Sequence, residues 1–240
     1  MSIKVISVSK VYPNATGSVS SVYAIKNLNI DINEGSYTFI SGPTGSGKTT
    51  LLSLLAGIIY PSQGEIIFGD THFPSDSDEK VSLFREKYIG YIPQNTFLIN
   101  DFTVLENVLS PNLFLKRRIK QLKSSALILL EKLGLLNKKN ANPTQLSGGE
   151  MKKVTIARAL IKKPLYVIAD EPFSELDNES INVVINIMNE EHKSGASIIF
   201  ASHDPFTFGT NADIYTLSKG QITEYRREVN DEPSELRMQA

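Results

Sequence analysis

Residues 42–49 read Gly-Pro-Thr-Gly-Ser-Gly-Lys-Thr and match the pattern G-x-x-x-x-G-K-S/T. The apolar run at residues 37–41 predicts a strand before this stretch, and residues 49–58 predict a helix after it. Glycines in such a loop allow backbone N–H groups to turn toward phosphate oxygens, and the new helix adds its positive end. The stretch therefore predicts a phosphate-binding loop in an α/β fold.

Two side chains of this loop carry chemistry of their own. Lys48 is expected to place its ammonium group against the β- and γ-phosphates, and the Thr49 hydroxyl to ligate magnesium. The residues predicted to bind nucleotide are Gly42, Pro43, Thr44, Gly45, Ser46, Gly47, Lys48, Thr49 and Thr50. The loop alone leaves the class of protein open, because small-molecule kinases, GTPases and helicases share it. Residues 137–140 read Asn-Lys-Lys-Asn, which does not complete the guanine-reading motif Asn-Lys-x-Asp.

A second apolar run, at residues 165–169, ends in the carboxylates Asp170 and Glu171. Strand ends beside a phosphate-binding loop are where ligands collect in a parallel sheet. Asp170 is therefore predicted to hold the magnesium shell, and Glu171 to accept a proton from an attacking water. From these residues alone, the alternative is a pair that caps a helix, with Pro172 following. The loop upstream favours the catalytic interpretation.

Apolar strands alternate with helical segments along the rest of the chain, which predicts a parallel sheet with helices on its faces. Further strands are predicted at residues 4–8, 23–32 and 197–201, a charged loop at 74–80, and helices at 147–162 and 178–192. Leucine and isoleucine also recur at helical spacing over residues 103–136, which indicates a helical lobe, approximately residues 95–162, inserted into the core. We expect one domain over residues 1–225 and a loosely held polar tail over 226–240.

Composition limits the kinds of partner. Hydrophobic residues make up 41% of the 240 residues and charged residues 21%, as in an ordinary globular protein. The formal net charge of −1 argues against nucleic acid, because proteins that track phosphate backbones carry a basic excess. With no cysteine, disulfides and thiolate metal sites are excluded. The most apolar stretch, residues 51–60, is shorter than the roughly 20 residues that cross a bilayer, so we expect a soluble chain.

Residues 146–150 read Leu-Ser-Gly-Gly-Glu and are followed by Ile-Ala-Arg-Ala-Leu at 156–160, a combination that resembles the signature of the ABC-type ATPases. The resemblance implies a phosphate-loop fold with a RecA-like parallel-sheet core, an N-terminal antiparallel β lobe and an inserted helical lobe. It also implies that four residues contact the γ-phosphate of a nucleotide held by the opposite protomer, namely Ser147, Gly148, Gly149 and Glu150. The same spacing of Ser147 and Glu150 fits a helix capping box, and one geometry can serve both roles.

Other family elements follow in order over residues 3–225. Gln94 resembles the glutamine that senses magnesium and water, Asp177 belongs to a segment that crosses between protomers, and His203 resembles the histidine that contacts the γ-phosphate. Tyr12 stands where the family places the aromatic ring that stacks on adenine, with Tyr23 as the alternative. The departures from the commonest family residues are Glu150, Lys153, Phe173 and Glu175. They put coupling between protomers in question rather than the chemistry.

The resemblance implies a function for the whole chain. ATP and Mg²⁺ would bind between two ATPase subunits, either a homodimer or a pair, at the cytoplasmic face of the inner membrane on integral-membrane permease subunits. Residues 84–91 and 102–108 are similar to the lipoprotein-releasing and macrolide-export branch. An ABC ATPase that regulates a membrane partner in cell-envelope or division processes is the alternative, whereas a phosphate-loop kinase does not explain residues 146–150. The cluster Phe97, Leu98 and Ile99 is predicted either to receive a permease helix or to pack in the core.

Overall fold

The computed structural model describes residues 1–13, 21–73, 77–112, 119–202, 206–208, 212–229 and 236–238. The strands are β1 (Ile3–Tyr12), β2 (Val22–Ile32), β3 (Tyr37–Ser41), β4 (Gln63–Phe68), β5 (Thr71–Phe73), β6 (Ile89–Ile92), β7 (Tyr166–Asp170), β8 (Ser197–Ala201), β9 (Phe206–Phe208), β10 (Ala212–Ser218), β11 (Gln221–Glu228) and β12 (Leu236–Met238). The helices are α1 (Lys48–Leu55), α2 (Asp78–Tyr88), α3 (Val104–Leu109), α4 (Ile119–Lys132), α5 (Gly148–Leu160) and α6 (Asn178–Lys193). Short 3₁₀ turns occupy Ser110–Asn112, Leu136–Lys138 and Pro143–Gln145.

A six-stranded sheet forms the centre of the molecule, in the order β11-β10-β3-β8-β7-β6. All neighbours in it are parallel except β10 and β11. Every residue of β7 and β8 is buried, because both faces of these strands are covered. Asp170 at the end of β7 is level with Ala201 of β8, which in turn is level with Ile40 of β3. The phosphate-binding loop and the two carboxylates therefore leave the sheet at the same edge.

An antiparallel sheet, β2-β1-β4-β5, is formed mainly by the N-terminal strands. Its buried side chains share one hydrophobic core with α1 and one face of the central sheet, and Ile3, Leu51 and Ile168 belong to this core. The opposite face of the central sheet packs in a second core with the helices, which includes Val167 of β7 and Val154 of α5. In β7 the side chains alternate between the two cores, as the pleat of a strand requires. The predicted fold class, with a parallel core and an N-terminal antiparallel sheet, is confirmed.

Between β6 and β7, the regular elements that the structure describes are all helices or 3₁₀ turns, joined by loops. Helices α3, α4 and α5 pack together around Val104, Leu130 and Val154. Capping boxes start α3 at Thr103 and α5 at Ser147, where each cap hydroxyl accepts from the backbone N–H three residues on. These helices lie within the range predicted for the inserted lobe. None of the described helices is long and apolar enough to span a bilayer.

Two local expectations differ from the structure. The charged loop predicted at residues 74–80 gives way to α2 from Asp78, where Asp78 and Glu79 in the first turn favour a helix start. In the predicted tail, Arg226–Glu228 continue β11, and Leu236–Met238 pair with Phe206–Phe208 because backbone pairing can order a polar segment. The boundary at residue 225 stays a prediction.

Candidate nucleotide-binding site

The phosphate-binding loop connects β3 to α1, as the sequence predicts, and two of its glycines pack against neighbouring backbone. Gly47 has a φ of 108°, and a Cβ there would lie 2.4 Å from the carbonyl oxygen of Ala24. Gly42 has a φ of 141°, and its Cβ would lie 2.1 Å from the carbonyl oxygen of Leu217. Any side chain at these positions would collide with main-chain atoms that belong to β2 and β10. The sequence therefore needs glycine here for close approach as well as for the turn.

Lys48 begins α1 and turns its ammonium group back over the loop. Its Nζ donates to the carbonyl oxygen of Gly42 at 2.7 Å and to that of Pro43 at 3.1 Å. The side chain is only 7% exposed. A single positive charge is thereby held over backbone that curls around a cavity, which is suited to phosphate oxygens.

The two carboxylates after β7 are buried beside this loop. Asp170 is 1% exposed, and its Oδ2 has no hydrogen-bond partner among the described residues. Glu171 is 9% exposed and adopts a φ of 47°, which is uncommon for a residue other than glycine. Its N–H donates to the carbonyl oxygen of Ala201 at 2.9 Å, so the main chain is fixed despite the strain. The buried Asp170 oxygen needs a cation or donor from outside the described chain.

These groups line one cleft with a volume of about 300 Å³. Its lining residues are Val22, Tyr23, Ala24, Thr44, Gly45, Gly47, Lys48, Thr49, Thr50, Gln94, Asp170 and Glu171. A positive charge, a hydroxyl, an amide and two carboxylates thus meet in one place. The oxygen donors of Thr49, Gln94 and Asp170 are the ligand type that Mg²⁺ prefers, in a site that retains room for substrate oxygens. The residues present therefore fit a magnesium-bound nucleotide.

The two candidate adenine-stacking rings occupy different places. Tyr23 lines the cleft and is 49% exposed. Tyr12 is 40% exposed and pairs with Val22, a cleft-lining residue, on the neighbouring strand. The Nζ of Lys10 lies 5.4 Å from the centroid of the Tyr12 ring, within range of a cation–π contact. Both rings are accessible, and the assignment of Tyr12 stays a prediction.

The residues that resemble the family signature line a second cleft. Ser147, Gly148, Gly149 and Glu150 lie there beside Lys153, Glu175, Leu176, Asp177 and Ser180. The Ser147 hydroxyl accepts from the Glu150 N–H at 3.3 Å, and Glu150 accepts from the Ser147 N–H at 2.9 Å. The hydrogen bond from Lys138 and those from Ser147 hold the pKa of the Glu150 carboxyl below its usual value. The capping interpretation of Ser147 and Glu150 is correct as geometry.

Close packing beside this helix start explains its paired glycines. A Cβ on Gly148 would lie 2.2 Å from Oε2 of Glu175, and one on Gly149 would lie 2.7 Å from the Glu175 carbonyl oxygen. Asp177 accepts from the Ser180 N–H at 2.8 Å, and bonds from Ser180 lower the pKa of the Asp177 carboxyl. Asp177 thus caps α6, and its predicted contact with nucleotide stays a prediction.

Other sequence-based assignments have mixed outcomes. His203 lies outside the described residues. Phe97 is 74% exposed, whereas Leu98 beside it is 6% exposed and belongs to the core. The proposed docking cluster is therefore divided between the surface and the interior.

One residue that the sequence did not single out lies between the two clefts. Lys152 on α5 is fully buried, and its Nζ donates to the carbonyl oxygens of Pro93 and Gln94. Two lysines follow each other at 152 and 153, and nothing in the sequence distinguishes the buried one from the one that lines the second cleft. Which of the two lysines is buried depends on how α5 is rotated against the loop after β6.

Comparison with known proteins gives a consistent result. The family model described as "ABC transporter" matches residues 25–174. The lipoprotein-releasing system ATP-binding protein LolD of Buchnera aphidicola subsp. Acyrthosiphon pisum is 37% identical over 224 residues, which cover 93% of this chain and 97% of that protein. An uncharacterized ABC transporter ATP-binding protein of Methanocaldococcus jannaschii is 38% identical over 201 residues, which cover 84% and 90% of the two chains.

A solved structure extends the similarity to three dimensions. The dimeric ATP-binding cassette MJ0796, bound to ADP and Pi in a post-hydrolysis state, superposes with a TM-score of 0.84 at 29% identity. The match covers 94% of this chain and 98% of that one.

Proposed function

This chain belongs to the ABC transporter family and is an ATP-hydrolysing, nucleotide-binding cassette, and from that premise we propose that two copies act together as the motor of a membrane machine that exports or extracts a substrate. The separation of the two clefts carries this proposal. The phosphate-binding loop and the signature residues line different clefts that share no lining residue within the described chain. The signature of one copy is then available to complete the nucleotide cleft of another.

In the proposed reaction, binding of the phosphates, activation of water and stabilisation of charge fall to different residues. Lys48 and the N–H groups of the loop bind the phosphates, and Glu171 takes a proton from the water that attacks the terminal phosphorus. His203 and the first turn of α5 from the opposite copy stabilise the charge on the leaving group and the transferred oxygens. Oriented donors in a cleft from which water is excluded act more strongly than they do in solvent. General-base assistance of this kind contributes roughly 10²–10⁴-fold to the rate.

Magnesium is part of this proposal because the donor set fits it. Thr49, Asp170 and Gln94 would hold the ion, with Asp170 offering the buried Oδ2 that lacks a described partner. When bound, the ion would supply positive charge that offsets the negative charge of the phosphate groups. Chelation of divalent ions is therefore expected to abolish hydrolysis by the purified protein, and addition of Mg²⁺ to restore it.

The membrane partner is argued from similarity and from one exposed side chain. Relatives named for a lipoprotein-releasing system match nearly the whole chain, which supports the export branch over the regulatory alternative. Phe97, 74% exposed in the loop after β6, lies close in sequence to the cleft residue Gln94. A permease helix that covers Phe97 would be near the nucleotide cleft. The chain would then sit at the cytoplasmic face of the membrane through that partner.

The experiment compares the wild type with Glu171→Gln. We expect the variant to bind ATP with similar affinity, to hydrolyse it at least about 100-fold more slowly, and to form a dimer with ATP and Mg²⁺ in size-exclusion chromatography with light scattering. Normal hydrolysis by the variant would contradict the role of Glu171.

Co-purification of the tagged wild type from detergent-solubilised native membranes tests the partner. A multi-span permease that co-purifies and stimulates hydrolysis supports a transporter motor, and the absence of such a permease contradicts it.

A further inference from the structure

Lys152 is a buried cation that connects two parts of the proposed machinery. It lies on α5, one turn after the cap Ser147, and its side chain is 0% exposed. Its Nζ donates to the carbonyl oxygen of Pro93 at 3.1 Å and to that of Gln94 at 3.0 Å. Lysine is almost never fully buried unless it is paired, because removing an ammonium group from water is costly. A position that keeps this cation buried therefore has a specific use for it.

Carboxylates around Lys152 offset the cost of burying its positive charge. Burial lowers the pKa of Lys152, whereas the charges of Glu175, Asp170 and Glu171 raise it. Asp170 and Glu171 line the nucleotide cleft, and Glu175 lies against Gly148 in the signature cleft. The ammonium group is thus held in a field produced by both clefts.

The carbonyl oxygens that accept from Lys152 belong to the loop after β6, which carries Gln94. Gln94 projects from the loop after β6, its side chain is exposed, and it lines the cleft beside Asp170. A residue on such a loop has a defined position only if its main chain is fixed. Lys152 supplies two hydrogen bonds to that main chain from a rigid helix whose first turn carries Ser147 and Gly148.

We propose that Lys152 is a positioning residue for ATP hydrolysis. It fixes the backbone of Gln94 and thereby links α5 to the nucleotide cleft of the same chain. This inference rests on the function proposed above. Movement of α5 when a second copy docks on its first turn would be transmitted through Lys152 to Gln94. Lys152 is not among the described lining residues of either cleft, so its effect is expected on turnover rather than on nucleotide binding.

The test is a double-mutant cycle between Lys152→Met and Gln94→Ala. Methionine keeps most of the aliphatic stem and removes both hydrogen bonds. We expect Lys152→Met to leave KM for ATP within about threefold and to lower kcat about tenfold or more, the pattern of an interaction lost from the transition state. In the Gln94→Ala background, the same substitution should have little further effect on kcat, because residues that act through each other are not additive.

Lys162→Met is the matched control. Lys162 is another desolvated lysine, near the end of α5, and its Nζ donates to the carbonyl oxygen of Glu86 away from both clefts. The Lys162→Met substitution should lower thermal stability and leave kcat unchanged, both in the wild type and in the Gln94→Ala background. If Lys152→Met does not fold, the cycle is run with Lys152→Leu, which also removes both hydrogen bonds and should give the same loss of kcat.

The outcomes separate this inference from the proposed function. The rate of ATP hydrolysis in the wild type, compared with that in Glu171→Gln, tests only the proposed ATPase activity. With that activity present, a wild-type kcat in the Lys152 variant overturns the positioning role. Additive losses of kcat in the cycle, or a loss matched by Lys162→Met, overturn it as well.

Discussion

At the scale of single residues, two of the six described non-glycine residues with a positive φ lie beside the proposed chemistry. Glu171 has a φ of 47°, and Glu175, which packs against the signature glycine Gly148, has a φ of 67°. Such conformations cost on the order of 1–3 kcal/mol each in residues other than glycine and persist where surrounding structure holds them. For Glu171 this support includes the hydrogen bond from the Ser174 hydroxyl to its carbonyl oxygen, at 3.0 Å. The strain aims the proposed base into the cleft.

Gly47→Ala is expected to weaken nucleotide binding by about tenfold or more. A Cβ at Gly47 would lie 2.4 Å from the Ala24 carbonyl oxygen, so the loop or β2 would have to shift. Gly45→Ala serves as the comparison, since none of the described neighbours lies within 4 Å of its Cβ and only the φ of 77° is unfavourable, a cost of about 1–2 kcal/mol. Titration with a fluorescent ATP analogue measures both variants. Equal affinities for the two would contradict the close-packing argument.

Replacement of each candidate ring separates the two adenine contacts. If Tyr12 stacks on the base as predicted, Tyr12→Ala should weaken ATP binding by about tenfold, since stacking on an aromatic ring contributes roughly 1–3 kcal/mol per base. Tyr23→Ala should then have a smaller effect, although Tyr23 lines the cleft. Binding of ATP and of inorganic triphosphate is compared for both variants, because triphosphate lacks the base. A larger loss for Tyr23→Ala would assign the contact to Tyr23.

At the scale of elements, the capping boxes of α3 and α5 allow a structural role to be separated from a functional one. Thr103→Ala in α3 and Ser147→Ala in α5 each remove a cap hydroxyl and should each lower the free energy of unfolding by about 1 kcal/mol. Only Ser147→Ala should also lower the rate of hydrolysis, because α5 starts in the signature cleft and α3 does not. Urea unfolding and a phosphate-release assay measure the two properties. Parallel loss of hydrolysis in both variants would contradict a specific role for Ser147.

Helix α6 introduces a pH dependence through His192. Its ring stacks on Tyr37 with centroids 4.2 Å apart, and burial, together with Lys193, lowers the pKa of His192. The unfolded chain then binds a proton more readily, so stability is full above the ordinary histidine pKa of about 6.5 and falls as pH decreases through it. His192→Phe keeps a ring on Tyr37 and should show a smaller fall in unfolding free energy between pH 7.5 and 5.5. Identical pH profiles would contradict this account.

The sequence predicted elements well where chemistry and periodicity coincide. The loop between β3 and α1, the strand that ends in Asp170 and the helix that starts after Ser147 all have local signals, namely glycines, carboxylates and a capping box. Helix α2 is mostly polar, and only Val81 and Phe84 of it are buried. Two buried positions are too few to give a helical period that the sequence would reveal. Burial of Lys152 and the stacking of His192 depend on contacts distant in sequence, which periodicity does not report.

At the scale of the whole molecule, the groups of the proposed site are divided between two clefts. One cleft holds Lys48, Asp170 and Glu171, and the other holds Ser147 and Gly148. A comparable cassette of 29% identity, bound to ADP and Pi, is itself dimeric. An isologous pair would bring the signature of each copy to the nucleotide cleft of its partner and form two equivalent sites.

Complementation between two inactive variants tests this central claim most directly. Lys48→Ala disables the phosphate-binding loop, and Ser147→Arg blocks the exposed start of α5, so neither variant alone has a complete site. In a mixed dimer one site carries both defects and the other carries none. The account predicts that mixing the two purified variants restores ATP hydrolysis clearly above the sum of their separate rates. A mixture no more active than that sum, with both variants folded, or full activity of Ser147→Arg alone, would contradict it.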